Sequence, residues 1–276
     1  MDLIEVERMR VATTRADLAL APGETLLGGG TWLFSEPQPG VRGLVDLTTM
    51  GWDAVVPGVH EGALAHGAVS VAATCTLAQL RESADLFGTA ARLVPELVDA
   101  LLGSWKIHRV ATVGGNICTA LPAGPMTSLA VGLGATAVVW TPDGGQRDLP
   151  VADLVTGVRQ TSLAPGEVLR SVEFPAPPVW AAHRRVSLAP LGRSAALLVA
   201  RSAVSGTDGD GGFTLTVTAS TPSPRVFTFP GIPTADELAA EVDTISDWYD
   251  DPHGAADWRR AMTLRYAEEL RAEASA

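Results

Sequence analysis

The chain has 276 residues, 46% of them hydrophobic and 18% charged, a balance that fills at least one sizeable core and excludes a disordered chain. A formal net charge of −11 argues against a nucleic-acid partner, whose phosphates need a basic face. It does not exclude a dinucleotide, because a pyrophosphate needs only locally converging backbone N–H groups.

In chain order, residues 5 to 31 (EVERMRVATTRADLALAPGETLLGGGT) read as a strand, a short helical stretch and a second strand ending in glycines. GLVDL (43 to 47) and the alternating segment from Ala63 to Val71 are further strand candidates. Helical periodicity follows at 76 to 87 and 89 to 103, with Thr76 as N-cap and Gly103 as stop. A Gly-rich turn at 112 to 116 then leads through a proline loop into a helix and a strand at 135 to 140. A strand at 167 to 174 precedes the stiff connector PAPPVW (175 to 180), where a domain boundary is expected. Beyond it, strands near 196 to 204, 213 to 219 and 225 to 229 precede helices starting near Thr234 and Gly254, the pattern of a small α+β domain.

The two cysteines, Cys75 and Cys118, lie outside any CxxC spacing, so no disulfide framework, zinc site or iron–sulfur site is indicated. Cys118 reads as a small buried thiol. The five histidines (His60, His66, His108, His183 and His253) show no metal-ligand spacing. The N-terminal residues mix acids and bases without an apolar segment, and no apolar stretch approaches bilayer length. The expectation is a cytoplasmic protein that engages no membrane.

Two glycine loops carry the chemistry. LLGGGTWL (26 to 33) places three glycines and a hydroxyl after an apolar strand, and a backbone without Cβ atoms can aim several N–H groups at a ligand. TVGGN (112 to 116) repeats that chemistry: Thr112 and Asn116 can donate to phosphate oxygens, and Gly114 and Gly115 allow close backbone contact. Each loop alone also reads as a tight turn, and neither fits the GxGxxG or Walker pattern.

The order of segments resembles the FAD-binding medium subunits of the molybdenum hydroxylase family, which includes xanthine dehydrogenase and aerobic carbon monoxide dehydrogenase. The resemblance is carried by LLGGGTWL, ATVGGNICTALPAGP, GEVLRSVEFP (166 to 175), HRRVSLAPLGRSAALLVA (183 to 200) and DPHGAADWRRAMTLRYAEEL (251 to 270). It implies an α+β fold: a two-lobed FAD-binding domain of PCMH type, as in vanillyl-alcohol oxidase-like flavoproteins, over residues 1–175 with a split near 58, then a small α+β C-terminal domain over 176–276. It also implies that Leu26, Leu27, Gly28, Gly29, Gly30, Thr31, Trp32 and Leu33, with Thr112, Val113, Gly114, Gly115 and Asn116, hold FAD. Leu169 matches an apolar residue beside the flavin, and Arg185 falls where a cationic residue meets the cofactor. Two positions depart from the pattern: the family commonly has aspartate where this chain has Trp32, and another where it has Pro125.

By the same resemblance the chain is an electron-transfer subunit. It would take electrons from the [2Fe–2S] clusters of a small subunit, beside a large molybdenum-cofactor subunit, and pass them to NAD or another acceptor in a heterotrimer or its dimer. FAD would be the only catalytic group. Two alternatives stand beside this reading: a self-contained FAD-dependent oxidase, disfavoured by a C-terminal part of only ~100 residues, and a non-enzymatic docking subunit that has lost FAD.

Overall fold

The computed structural model describes residues 3–58, 67–202 and 212–276. The strand candidate from Ala63 to Val71 falls partly outside them, as do His60 and His66.

The chain opens with a three-stranded parallel sheet of β1 (Arg8–Val11), β2 (Glu24–Leu27) and β3 (Gly43–Asp46), in the order β1-β3-β2. Gly43 sits opposite both Arg8 and Glu24, and an added Cβ there would lie 2.9 Å from Glu24 Cγ. The missing side chain lets a salt bridge cross over the middle strand. Glu24 accepts from Arg8 Nε at 3.2 Å, Arg10 Nη2 at 2.8 Å and the Ala21 amide at 2.9 Å. The inner side of this sheet buries Ala12, Leu18, Val45 and Leu47 against Val168.

The second sheet is antiparallel, ordered β4-β5-β10-β6-β7, from β4 (Val55–Pro57), β5 (Val69–Ala72), β6 (Thr136–Trp140), β7 (Gln146–Pro150) and β10 (Val168–Phe174). A short pair, β8 (Val155–Gly157) and β9 (Gln160–Thr161), lies between β7 and β10 in the chain. Helices α1 (Leu77–Glu82), α2 (Leu93–Asp99), α3 (Trp105–His108), α4 (Val113–Thr119), α5 (Pro125–Gly132) and α6 (Val151–Leu154) cluster around it. Thr76 caps α1 by accepting from the Gln79 amide, as its position predicts. The periodic stretch at 89 to 103 forms an α-helix only from Leu93 to Asp99, because the chain before it kinks at Gly88, at φ +53°, between short turns of 3-10 helix. Every residue of α5 is buried. A helix without a polar face must be covered on all sides, and α5 meets α2 on one side and the C-terminal sheet on the other.

That last sheet is an antiparallel meander of β11 (Ala181–Val186), β12 (Ala196–Ser202), β13 (Phe213–Thr218) and β14 (Arg225–Phe229), backed by α7 (Ala235–Val242) and α8 (Ala256–Ala274). It is joined to the preceding residues by tight contacts. A Cβ on Gly132 would lie 2.6 Å from Val199, the Ala219 amide donates to Pro122 O at 2.8 Å, and His183 Nδ1 lies 3.2 Å from Glu96 Oε2. Within this part Arg259, 1% exposed, donates to the carbonyls of Gly254, Ala195 and Ala219 and pairs with Asp251.

Two measurements test these anchors. The hydrogen bond from Arg10 and the Ala21 amide hold the Glu24 carboxyl down to about 2 from its ordinary 4.5. A depressed carboxyl adds stability that is complete above its unfolded pKa and fades as pH falls toward the folded one. Urea unfolding between pH 6 and pH 3 should therefore show a smaller acid-dependent loss in Glu24→Gln than in the unsubstituted chain. Arg259→Met removes a buried cation and leaves Asp251 and three carbonyls without their donor; urea unfolding at pH 7 should show a loss of about 3 kcal/mol.

Candidate functional site

Where β2 ends, the first glycine loop runs against the backbone that leads into α4. A Cβ added to Gly29 would sit 1.6 Å from the carbonyl oxygen of Val110, and one added to Gly28 would lie 2.8 Å from Thr112 Oγ1. Only glycine passes at such distances. Gly30, at φ +70°, then turns the chain into a tight turn closed by the Phe34 amide on Gly30 O at 2.9 Å. The two glycine loops are thus in direct contact. Beside them opens a cavity of about 560 Å³, within the range of small-molecule and cofactor sites.

The wall of this cavity is rich in donors. Residues Gly28 to Leu33 line it, and among the described residues their amides donate to no other group of the protein. Successive free amides make a cradle for an anion. Thr112 caps α4 by accepting from the Gly115 amide at 3.1 Å, which leaves its own hydroxyl proton free to donate. Asn116 Oδ1 accepts from the Met126 amide at 3.0 Å, leaving its NH2 as a donor. Among the described residues the charged ones on the wall are Arg159 and Arg193, and no carboxylate accompanies them. Arg159 sits in the turn between β8 and β9 at φ +57°, its amide tied to Ala120 O at 2.8 Å and its guanidinium carbon 5.7 Å from the centre of the Trp32 ring. The apolar part of the wall includes Leu101, Leu102 and Ile107.

Of the residues expected at the site, Leu26, Leu27, Gly28, Gly29, Gly30, Thr31, Trp32, Leu33, Thr112, Gly115 and Asn116 line the cavity. The second loop uses its backbone differently from the expectation that its amides face a ligand. Val113 donates to Cys75 O at 2.8 Å, Gly114 to Ala73 O at 2.9 Å, Gly115 to Thr112 Oγ1, and Asn116 to Thr112 O at 3.0 Å. A Cβ on Gly114 would lie 2.5 Å from Ala73 Cβ, so this glycine serves packing. Val113 and Gly114 are buried away from the wall. Leu169 is 3% exposed, paired with Val139 in the core. Arg185 stands behind the wall and donates to Ser194 Oγ at 2.7 Å and to Gly192 O, the two neighbours of Arg193.

The two departures have local explanations. Pro125 opens α5 at its first position, where no N–H is needed, and Asn116 takes the next amide. Trp32 lies on the wall with its indole N–H buried and unpartnered, an orphaned donor. Cys118, expected buried, is exposed on the same wall. Sequence reasoning missed Arg159 and Arg193; a GVRQ turn between two short strands was the signal for the first.

Among the described residues no three His, Cys, Asp or Glu side chains gather as a metal site, and no helix is long and apolar enough to cross a membrane. Over 70 residues, a quarter of the chain, the sequence is 40% identical to a xanthine dehydrogenase of Oryza sativa subsp. japonica and 34% identical to xanthine dehydrogenase 1 of Arabidopsis thaliana. Each match spans 5% of that relative's length. The fold matches a chain of the cyanide-inactivated Cu,Mo-CO dehydrogenase at TM-score 0.78 and 22% identity, covering 97% of this chain and 99% of that one. It matches quinoline 2-oxidoreductase from Pseudomonas putida 86 at 0.76 and 20%, covering 99% of both. It matches the carbon monoxide dehydrogenase of Hydrogenophaga pseudoflava at 0.76 and 18%, covering 96% of both. Residues 10–177, which supply most of the cavity wall, match the FAD-binding domain of molybdopterin dehydrogenases, and the chain belongs to that family of FAD-binding proteins.

Proposed function

We propose that this chain is the flavin-bearing electron-transfer subunit of a cytoplasmic molybdenum hydroxylase, active only within its complex. It accepts electrons from the [2Fe–2S] clusters of a small partner subunit and passes them to NAD or another acceptor, while a large subunit with the molybdenum cofactor oxidises the substrate. The observation that carries this reading is the donor-lined cavity, whose wall, among the described residues, has free amides from Gly28 to Leu33, two arginines and no carboxylate. Such a wall suits a diphosphate. Bound FAD would supply the redox chemistry, which belongs to the cofactor.

The protein's own part is to hold and shield. The amides of the first loop, with Arg159 and Arg193, would take the phosphates; the Thr112 hydroxyl and Asn116 NH2 would donate to neighbouring oxygens. Leu101, Leu102 and Ile107 would keep water from an aromatic ring. Leu169 would act through the core, and Arg185 by fixing the loop of Arg193. The domain reading that goes with this function divides the chain into 1–175, split near 58, and 176–276. Its support is the family match ending at 177, the first sheet ending before 58 and the separate C-terminal meander.

The isolated chain should purify yellow, with a flavin spectrum and FAD released on denaturation, and should turn over no organic substrate alone. A chain that stays colourless after incubation with FAD favours a docking subunit without cofactor, and turnover without partners favours a self-contained oxidase. Gly29→Ala, whose methyl collides with Val110 O, should separate the loops and weaken FAD binding at least about tenfold, roughly 1.4 kcal/mol, by flavin fluorescence titration.

A further inference from the structure

The cations of this chain differ in how they are committed. Of its 20 lysine and arginine side chains, most are engaged by carboxylates or backbone carbonyls. Four make no hydrogen bond or ion pair through their side chains among the described residues: Lys106, Arg109, Arg159 and Arg193. Arg159 and Arg193 line the cavity. Lys106 and Arg109 lie on and just after α3, the short helix whose Ile107 forms part of the same wall.

Those two cations frame an exposed aromatic ring. Lys106 Nζ lies 6.0 Å, and the Arg109 guanidinium carbon 5.3 Å, from the centre of the Trp105 ring. Trp105 is 64% exposed, with Leu102 at 43% and Val110 at 46% nearby in the chain. Burial in the fold does not explain this ring. Tryptophan and arginine are the residue types that most often anchor protein interfaces, and a contiguous apolar patch rimmed by charge marks a contact surface.

We propose that Trp105, Lys106 and Arg109, with Leu102 and Val110, form a docking face for an acidic protein partner. This rests on the flavin-subunit reading and names where a partner subunit of that reading attaches. Charge complementarity selects the occupant. The chain carries a net −11, so an acidic protein is repelled by the molecule as a whole and attracted only where cations stand unpaired. Leu102 and Ile107 also line the cavity, so the proposed face adjoins it.

Lys106 is the single lysine of the chain, and peptide mapping separates it from the N-terminal amine, so it reports on this face alone. The complex is purified from the cells that make it through a tag on this chain, and Lys106 is labelled with an amine-reactive ester there and in the isolated chain. Exclusion of water by an interface should lower Lys106 labelling roughly tenfold in the complex, and carbodiimide coupling should join Lys106 to a carboxylate of the partner. Equal labelling in both states, protection of the isolated chain by NADH alone, or failure of any acidic protein to copurify overturns the proposal. The double variant Lys106→Glu, Arg109→Glu should lose the partner and keep the flavin spectrum. Loss of flavin from that variant assigns the two charges to the cofactor instead and overturns the docking face. A colourless unsubstituted chain counts against the flavin reading, whatever the labelling shows.

Discussion

The site depends on one crossing of backbones. At Gly29 the loop after β2 passes so close to Val110 that a side chain at that point would occupy the space of the carbonyl oxygen. This contact brings the end of the parallel sheet to the start of α4, two elements more than eighty residues apart in sequence. Where the first loop crosses over the second, its own amides have no partner among the described residues, and the second loop carries the structural role. Thr112 caps α4 and meets Gly28, Gly114 packs on Ala73, and Asn116 starts α5. The first loop turns bare amides to the cavity, while the second commits its amides to the fold and shows the cavity only side-chain donors.

This division could be read only in part from the residues. Three successive glycines after an apolar strand announce a backbone that must come close to something, and the first loop lines the cavity as that pattern implies. The glycine at 114 carries the same local signature with a different cause, since the atoms crowding it belong to Ala73, 41 residues earlier, while Gly115 lies on the cavity wall. No local pattern distinguishes a glycine needed for a ligand from one needed for a neighbouring chain.

The charges show the same limit. Arg159 reaches the wall because a two-strand turn places a non-glycine residue at φ +57°, and Arg193 because Arg185 grips the loop on both sides of it. A cationic residue of the C-terminal part was legible near Arg185, and the cation on the wall stands eight positions later, in a loop that Arg185 holds by two hydrogen bonds. Strand and helix positions fared better. Most periodic segments appear near where their spacing puts them, the helix expected at 89 to 103 shortening to Leu93–Asp99, and the main omissions, β4, β7 and β11, are strands that need a neighbour already in place to be recognised as such.

The burial of α5 has an evolutionary consequence. With Gly132 pressed on Val199 and no polar side on the helix, α5 turns one oily side toward the C-terminal meander. A gene fragment ending at the connector would expose that surface to solvent and invite aggregation. Recombination that exchanged the C-terminal part would have to preserve a small residue at 132 and a shape-matched strand opposite it.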